Sequence, residues 1–136
     1  MFSWFLGLGL SWAGDVPPIQ VVFMCSTEKA NKQVALFKQG DNFIYQYGAD
    51  MAAPELHLVR PSSQVIKEPW NGMGRYIWDN ITLKNKEYSY TVRHSYDKME
   101  DVALAEVSIS KNDAFITSVK CDNSKHVVNN LNVFAQ

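Results

Sequence analysis

Short apolar runs separated by turn residues follow one another along the chain from Ile19 onward. Apolar and polar side chains alternate most cleanly over residues 86–94, and this period of two predicts a strand with one face buried. Residues 75–83 form the preceding run. The two runs predict an antiparallel hairpin that turns at Asn85-Lys86, because Asn tolerates the positive φ that a two-residue turn requires.

The other apolar runs have a similar length and are separated by Gly, Pro, Asn or Asp. The predicted strands are residues 19–25, 33–37, 42–47, 55–59, 75–83, 86–94, 101–110 and 114–121. About eight strands at spacings of roughly 10 residues, without helices between them, are typical of antiparallel β folds. We therefore predict an all-β domain, either a sandwich or a small barrel.

Two segments depart from a plain strand pattern. The apolar parity changes between Leu104 and Val107, which predicts a β-bulge near Ala105-Glu106. In the tail, residues 124–136, apolar side chains recur at helical spacing and predict a short C-terminal helix, with a final strand as the alternative.

Residues 61–74 form the least regular stretch, with two prolines and two glycines around Trp70. They are predicted to be a long loop. Because loops held by a rigid sheet often provide recognition surfaces, this loop is a candidate for function.

The first 13 residues contain no charge and end in small residues spaced as in a signal-peptide cleavage site. No Lys or Arg precedes the apolar run, so the true start of the gene product is expected upstream. A buried strand and a short anchor are the alternatives, although the run is shorter than the ~20 residues of a spanning helix. We predict a signal-peptide-like segment at 1–13, a single β domain at 14–136, and no stable membrane span after cleavage.

Composition places the mature region among ordinary globular domains. The chain has 136 residues, of which 46% are hydrophobic and 20% charged, and this length fits one domain. The 13 basic and 14 acidic residues nearly balance and give a net charge of -1. Since nucleic-acid binding requires a clustered basic face, scattered charges of this kind predict no nucleic-acid partner.

The two cysteines, Cys25 and Cys121, end the first and last predicted core strands. An even count in an exported chain predicts a disulfide bond. Two free thiols in a cytosolic protein are the alternative. Neither cysteine has a second ligand at zinc-finger spacing, so we predict no metal site.

The chain shows no motif of known chemistry. His57, His94 and His126 are isolated in sequence, and neither a metal motif nor a nucleophile elbow is present. His94 is expected to pair with Asp97 or Glu100, as a solvated side chain at a strand end. We therefore predict no catalytic residue and no cofactor.

Aromatic side chains are concentrated on or beside the predicted hairpin, and most are expected in the core. Tyr76 and Trp78, however, have the parity opposite to Ile77 and Ile81. Their face is either covered by a second layer or forms an exposed aromatic patch. The predicted binding residues are Trp70, Arg75, Tyr76 and Trp78, with Trp70 as a lid on the core as the alternative.

Two segments are similar to a family of small secreted bacterial proteins. Residues 45–48 (YQYG), followed by Glu55-Leu56, resemble that family's YRFG…EL segment, with Gln46 in the usual place of Arg. Residues 85–92 (NKEYSYTV) resemble its NG-x-Y-x-Y-T-V segment. The resemblance spans about residues 21–121 and implies export and a β fold, but no reaction.

A shorter likeness concerns residues 72–76 (GMGRY), which resemble the Gly-x-Arg-Tyr segment of membrane-bound and periplasmic lysozyme inhibitors. Those proteins are small disulfide-closed β-barrels. The likeness implies an inhibitor of another protein as one possible role.

The leading functional prediction is an exported binding protein of the bacterial envelope, periplasmic or secreted, with another protein as its partner. An inhibitor or an immunity protein would be of this type. The alternatives are a small secreted hydrolase with a carboxylate or His site and a structural envelope component. A cleft holding two titratable groups would favour the enzyme, whereas a convex aromatic patch would favour the binding protein.

Overall fold

The computed structural model describes residues 16–136, so the signal-peptide-like segment predicted at 1–13 lies outside the described residues. Within this range, ten strands form two antiparallel sheets of five strands each, and one helical turn follows near the C-terminus. The all-β prediction is confirmed. The two sheets form a sandwich rather than a closed barrel.

The first sheet has the strand order β10-β1-β2-β3-β4. Its strands are β1 (Ile19–Ser26), β2 (Gln33–Gln39), β3 (Asn42–Gly48), β4 (Leu56–Pro61) and β10 (Val128–Asn129). The second sheet has the order β5-β6-β7-β8-β9. Its strands are β5 (Ile66–Glu68), β6 (Tyr76–Asn85), β7 (Tyr88–Asp97), β8 (Val102–Lys111) and β9 (Ala114–Lys120). Each sheet is therefore a meander of consecutive strands, except for β10, which returns to the first sheet.

The core lies between the two sheets. Tyr45 of β3 and Tyr90 of β7 stack across it with ring centroids 5.6 Å apart. The largest fully buried side chains are Tyr45, Phe23, Phe43, Leu36, Ile81, Leu83, Leu131, Val22, Val34, Val92 and Val107. Burial of these side chains is the main stabilising contribution, at about 1.5–3 kcal/mol for each large one.

The predicted hairpin is present as β6 and β7, which pair over their whole length. Its turn lies one residue later than predicted, because Asn85 still pairs with Tyr88. Lys86 and Glu87 are thus the two turn residues, and Lys86 takes the positive φ, 58°.

The predicted bulge near Ala105-Glu106 is wrong. β8 pairs with β7 without interruption, and the irregularity lies between Ile109 and Ser110, where β9 contains one extra residue. The change of parity has another cause: Leu104 and its neighbour Val102 point to the outer face of the sheet and are exposed.

Residues 61–74 are more regular than predicted. A 3-10 turn at Ser62–Gln64 and the short edge strand β5 occupy much of the stretch, and Val65 between them is buried. This segment leads the chain from the first sheet to the second. The irregular part is limited to residues 69–75.

The tail forms both of the predicted alternatives. β10 pairs antiparallel with β1, and a helical turn, α1 (Leu131–Phe134), follows it. Leu131 and Ala135 are fully buried, so the tail completes the core.

The predicted disulfide bond is present between Cys25 in β1 and Cys121 just after β9, with the Cα atoms 5.7 Å apart. Next to it, Thr27 and Cys121 form an isolated β-bridge. The bond therefore joins the two sheets at one end of the sandwich. It is consistent with an oxidising, extracytoplasmic location. Among the described residues, no helix has the length and apolar character needed to cross a membrane.

Candidate functional site

Four large apolar side chains lie together on the outer face of the second sheet. Tyr76 and Trp78 come from β6, and Val102 and Leu104 from β8. The register places each aromatic residue level with one of the aliphatic residues, with a single β7 residue between them. We call these four residues the aromatic patch.

The aromatic patch is open to solvent. Tyr76 is 48% exposed, Val102 58% and Leu104 37%, while Trp78 is half-buried. The opposite face of the sheet contains Ile81 and Val92 and packs in the core. Of the two arrangements that strand parity allows for Tyr76 and Trp78, the structure has the exposed one.

Two arginines lie over the aromatic rings. The guanidinium of Arg75 is 5.4 Å from the centroid of Tyr76, and that of Arg93 is 6.0 Å from the centroid of Trp78. Such cation–π contacts contribute about 0.5–1 kcal/mol at exposed sites.

Arg75 is fixed by a second interaction. Its Nε and Nη2 atoms each donate to the Asp97 carboxylate at 2.7 Å. This bidentate pairing, together with backbone hydrogen bonds from Met99 and Glu100, lowers the pKa of Asp97 to about 2. Arg75 therefore positions the loop and Tyr76, and only part of its hydrogen-bonding capacity is available to a partner.

Arg93 lies in the centre of the outer face, where the register places it between Asn80 and Glu106. It forms no ion pair among residues 16–136. The side-chain oxygen of Asn80 is buried and accepts no hydrogen bond from the described residues. An uncompensated acceptor of this kind costs about 1–3 kcal/mol, so the centre of this face is not optimised for stability.

Trp70 is held in the loop before β6 by hydrogen bonds of its backbone and of its side chain. Its backbone N–H donates to Oδ1 of Asp79 at 3.1 Å, and Asp79 is buried with the parity of the core-facing Ile81. The indole Nε1 donates to the carbonyl of Met73 at 3.0 Å, and Lys98 lies 5.5 Å from the ring centroid. Trp70 thus folds its own loop against the end of the sheet.

His94 does not pair with Asp97 or Glu100 as expected, because both of those carboxylates contact Arg75. It lies instead opposite Asp79 in the β6–β7 register. Burial lowers the pKa of His94, and the charge of Asp79 partly opposes this shift. His94 is therefore a neutral, half-buried side chain near physiological pH.

The titratable side chains offer no metal centre in the part of the chain that the structure describes, where no three His, Cys, Asp or Glu residues are grouped to hold an ion. His57 contacts Oε1 of Gln46 at 2.7 Å, and His126 is exposed. The three histidines are thus separate in space as well as in sequence.

Sequence reasoning found half of the patch. Strand parity identifies Tyr76 and Trp78 as an exposed pair in one of its two arrangements, but it attributes the parity change between Leu104 and Val107 to a bulge. The signal that distinguishes the two cases is the register with β7, which is a long-range property. Apolar residues at positions i and i+2 at the start of a strand give the same local pattern whether they face the core or the outer surface.

No protein-family model, curated protein or solved structure matches this chain.

Proposed function

We propose that this chain is a non-enzymatic binding protein of the bacterial envelope, and that the aromatic patch contacts another protein. The observation that carries the proposal is the grouping of Tyr76, Trp78, Val102 and Leu104 on an uncovered sheet face. Contiguous exposed apolar patches are uncommon on monomeric proteins and often mark interaction sites.

The composition of the site matches that of protein interfaces. Tyr, Trp and Arg are the residues that most often provide the binding energy at such interfaces. Here Trp78 and Tyr76 supply apolar area, and Arg93 adds a charge that no carboxylate among the described residues neutralises at ion-pair distance. A partner with an apolar centre and a neighbouring acidic side chain would complement this surface.

The shape of the site favours a macromolecule over a small molecule. Small-molecule sites are concave and enclose most of the ligand. Three clefts among the described residues are lined by segments near the disulfide bond, such as residues 24–33 and 118–120, and by no patch residue. A flat sheet face with protruding aromatic groups is better suited to another protein surface.

The envelope location is supported by two observations. The Cys25–Cys121 bond is of the kind that forms and persists in oxidising compartments. The resemblance of residues 45–48 and 85–92 to secreted bacterial proteins implies the same compartment.

For the hydrolase alternative, Asp79 and His94 are the one cross-strand pair of a carboxylate and an imidazole in the β6–β7 register. Asp79 is buried and its Oδ1 accepts the N–H of Trp70. The Asp79 carboxylate thus stabilises the 69–75 loop, which explains its burial without a catalytic role.

The proposal is tested by site-specific photo-cross-linking in the bacterial periplasm. A photoreactive phenylalanine analogue is placed at Leu104, at Val102 or at Val59. Val59 lies on the other sheet and is 41% exposed, close to the 37% of Leu104, so it is a matched control. We expect both patch positions to give one shared cross-linked protein that Val59 does not give.

A second variant tests the role of charge. Arg93→Glu should reduce the yield of the Leu104 cross-link at least fivefold while the melting temperature stays within a few degrees. Equal yields at Leu104 and Val59, or no product at either patch position, would exclude the aromatic patch as a contact surface.

A further inference from the structure

The two sheets have four edge strands, β10, β4, β5 and β9. Edge strands present unpaired backbone groups that can pair with another chain. Proteins usually prevent this with short edge strands, charged side chains or proline. β10 and β5 have two and three residues, and β5 includes Lys67 and Glu68. β4 contains Arg60 and ends at Pro61. β9 has seven residues, and residues 114–119 include neither a charge nor a proline.

The first part of β9 is exposed on both faces. Residues 114–117 are all exposed, with Phe115 at 67% and Ile116 at 50%. The extra residue that β9 has opposite Ile109 and Ser110 lies in this part. A bulge can blunt an edge, but here the exposed side chains around it are large and apolar, which favours association.

The far end of the same edge is already occupied. The N–H of Glu28 donates to the carbonyl of Lys120 at 2.9 Å. The chain then turns away through Ala30 and Asn31, both of which have positive φ. Among residues 16–136, the part of this edge without a pairing strand is therefore limited to residues 114–119.

A cleft of about 310 Å³ lies where the free edge ends. Its walls include Lys29, Lys120, Glu28 and Tyr47. Neither lysine forms an ion pair within residues 16–136. The cleft therefore has a net positive lining.

The opposite end of β9 has the complementary charge. The β8–β9 turn is formed by Asn112 and Asp113, with φ of 51° and 66°. Asp113 is exposed and forms no ion pair with the described residues. The strand thus has a carboxylate at its start and two lysines at its end.

We propose that two copies of this chain associate by antiparallel pairing of their β9 strands. Each copy would place Asp113 in the cleft of the other, beside Lys29 and Lys120. Phe115 and Ile116 of both copies would be buried at the centre. A two-fold axis perpendicular to the paired strands lets both copies use the same surface, as in closed dimers. Parallel pairing would instead place the two Asp113 carboxylates side by side, and likewise the lysines.

The charge pattern favours a second copy over a strand of another protein. The acidic residue, Asp113, and the basic residues, Lys29 and Lys120, that complement each other belong to the same chain. An interface of six paired residues and two hairpin turns is small compared with a standard interface of about 800 Å² per partner. The dimer should therefore be weak and depend on concentration. It uses the β9 edge rather than the aromatic patch, so it stands or fails independently of the proposed function.

The dimer is tested by sedimentation velocity of the oxidised protein over a range of concentrations, which measures the dissociation constant. The wild type is compared with variants in which one charge is reversed. Asp113→Lys and Lys120→Asp should each weaken association at least tenfold, since each creates two like-charge contacts. An equimolar mixture of the two variants should associate again, because the mixed dimer restores both opposite-charge contacts. Lys84→Asp, on an exposed residue of β6, is the matched control and should behave as the wild type.

Ile116→Lys leaves the β8–β9 turn unchanged. It should also give a monomer, because it places a charge at the centre of the proposed interface. Melting temperatures verify that each variant folds. A wild-type protein that stays monomeric at millimolar concentration overturns the proposal. So does a dimer that tolerates both single charge reversals, or a mixture of the two variants that fails to associate.

Discussion

At the scale of single residues, the ion pair between Arg75 and Asp97 shows how one carboxylate organises a region. Asp97 accepts two hydrogen bonds from Arg75 and others from the backbone N–H groups of Met99 and Glu100. It therefore joins the 69–75 loop to the turn between β7 and β8. Because Arg75 also lies over Tyr76, the same contact orders one side of the aromatic patch.

This ion pair predicts a specific dependence of stability on pH. The pKa of Asp97 falls from 3.8 to about 2 on folding, so its contribution is present above the unfolded pKa and is lost as pH falls from about 4 towards 2. Arg75→Gln should flatten the dependence of melting temperature on pH in this window. Arg93→Gln is the control, because Arg93 has no carboxylate partner within the described residues at ion-pair distance, and its acid profile should match that of the wild type. Two superimposable profiles for Arg75→Gln and wild type would contradict the assignment.

At the scale of strands and turns, local sequence patterns predicted most elements. They failed where pairing with residues distant in sequence determines the structure. The alternation over residues 86–94 identified β7, and turn residues identified the ends of several other strands. The direction of the apolar residues of β8 could not be predicted, because Val102 and Leu104 belong to the outer face only through their register with β7. In the same way, β5 is a strand because it pairs with β6. Its three residues are too few to show an alternation of apolar and polar side chains that would predict it.

The candidate site was predictable to a similar extent. Parity separated Tyr76 and Trp78 from the core positions of β6, and that separation is a local property. The position of Trp70 depends on a hydrogen bond from its backbone N–H to Asp79, which nothing in residues 61–74 indicates. The aliphatic half of the patch depends on the order of strands in the sheet.

The β6–β7 turn gives a prediction at this scale. Lys86 has a φ of 58°, where an L-residue with a side chain is strained by about 1–2 kcal/mol. Lys86→Gly removes that strain and increases the entropy of the unfolded chain, so we expect a net gain of about 0.5–1 kcal/mol. Urea unfolding measures it.

Lys84→Gly, inside β6, is the matched control and should lose about 0.5–1 kcal/mol. A loss of stability in Lys86→Gly similar to that in the control would mean that the turn has another conformation.

At the scale of the whole molecule, the disulfide bond restrains two sheets that are otherwise consecutive meanders. It joins β1 to the end of β9 and closes a sequence separation of 96 residues. Its effect is therefore on the assembly of the sandwich rather than on either sheet alone.

Replacing both Cys25 and Cys121 by Ala should reduce the free energy of unfolding by about 4–5 kcal/mol, since the loop that the bond closes in the unfolded chain is long. Denaturant titration of the oxidised wild type and of the double variant measures the difference. Reduced wild type is the control and should approach the variant. A loss below about 1 kcal/mol would show that the bond adds little to the β-bridge beside it.

The consecutive order of the sheets has a consequence for the chain while it is being synthesised. Four strands of the first sheet are complete at Pro61, but residues 66–120, which form the second sheet, take several seconds more at about 5–20 residues per second. During that interval the side chains of Phe23, Leu36 and Phe43 have no opposing layer. The half-sandwich is therefore the species that a holdase chaperone would recognise.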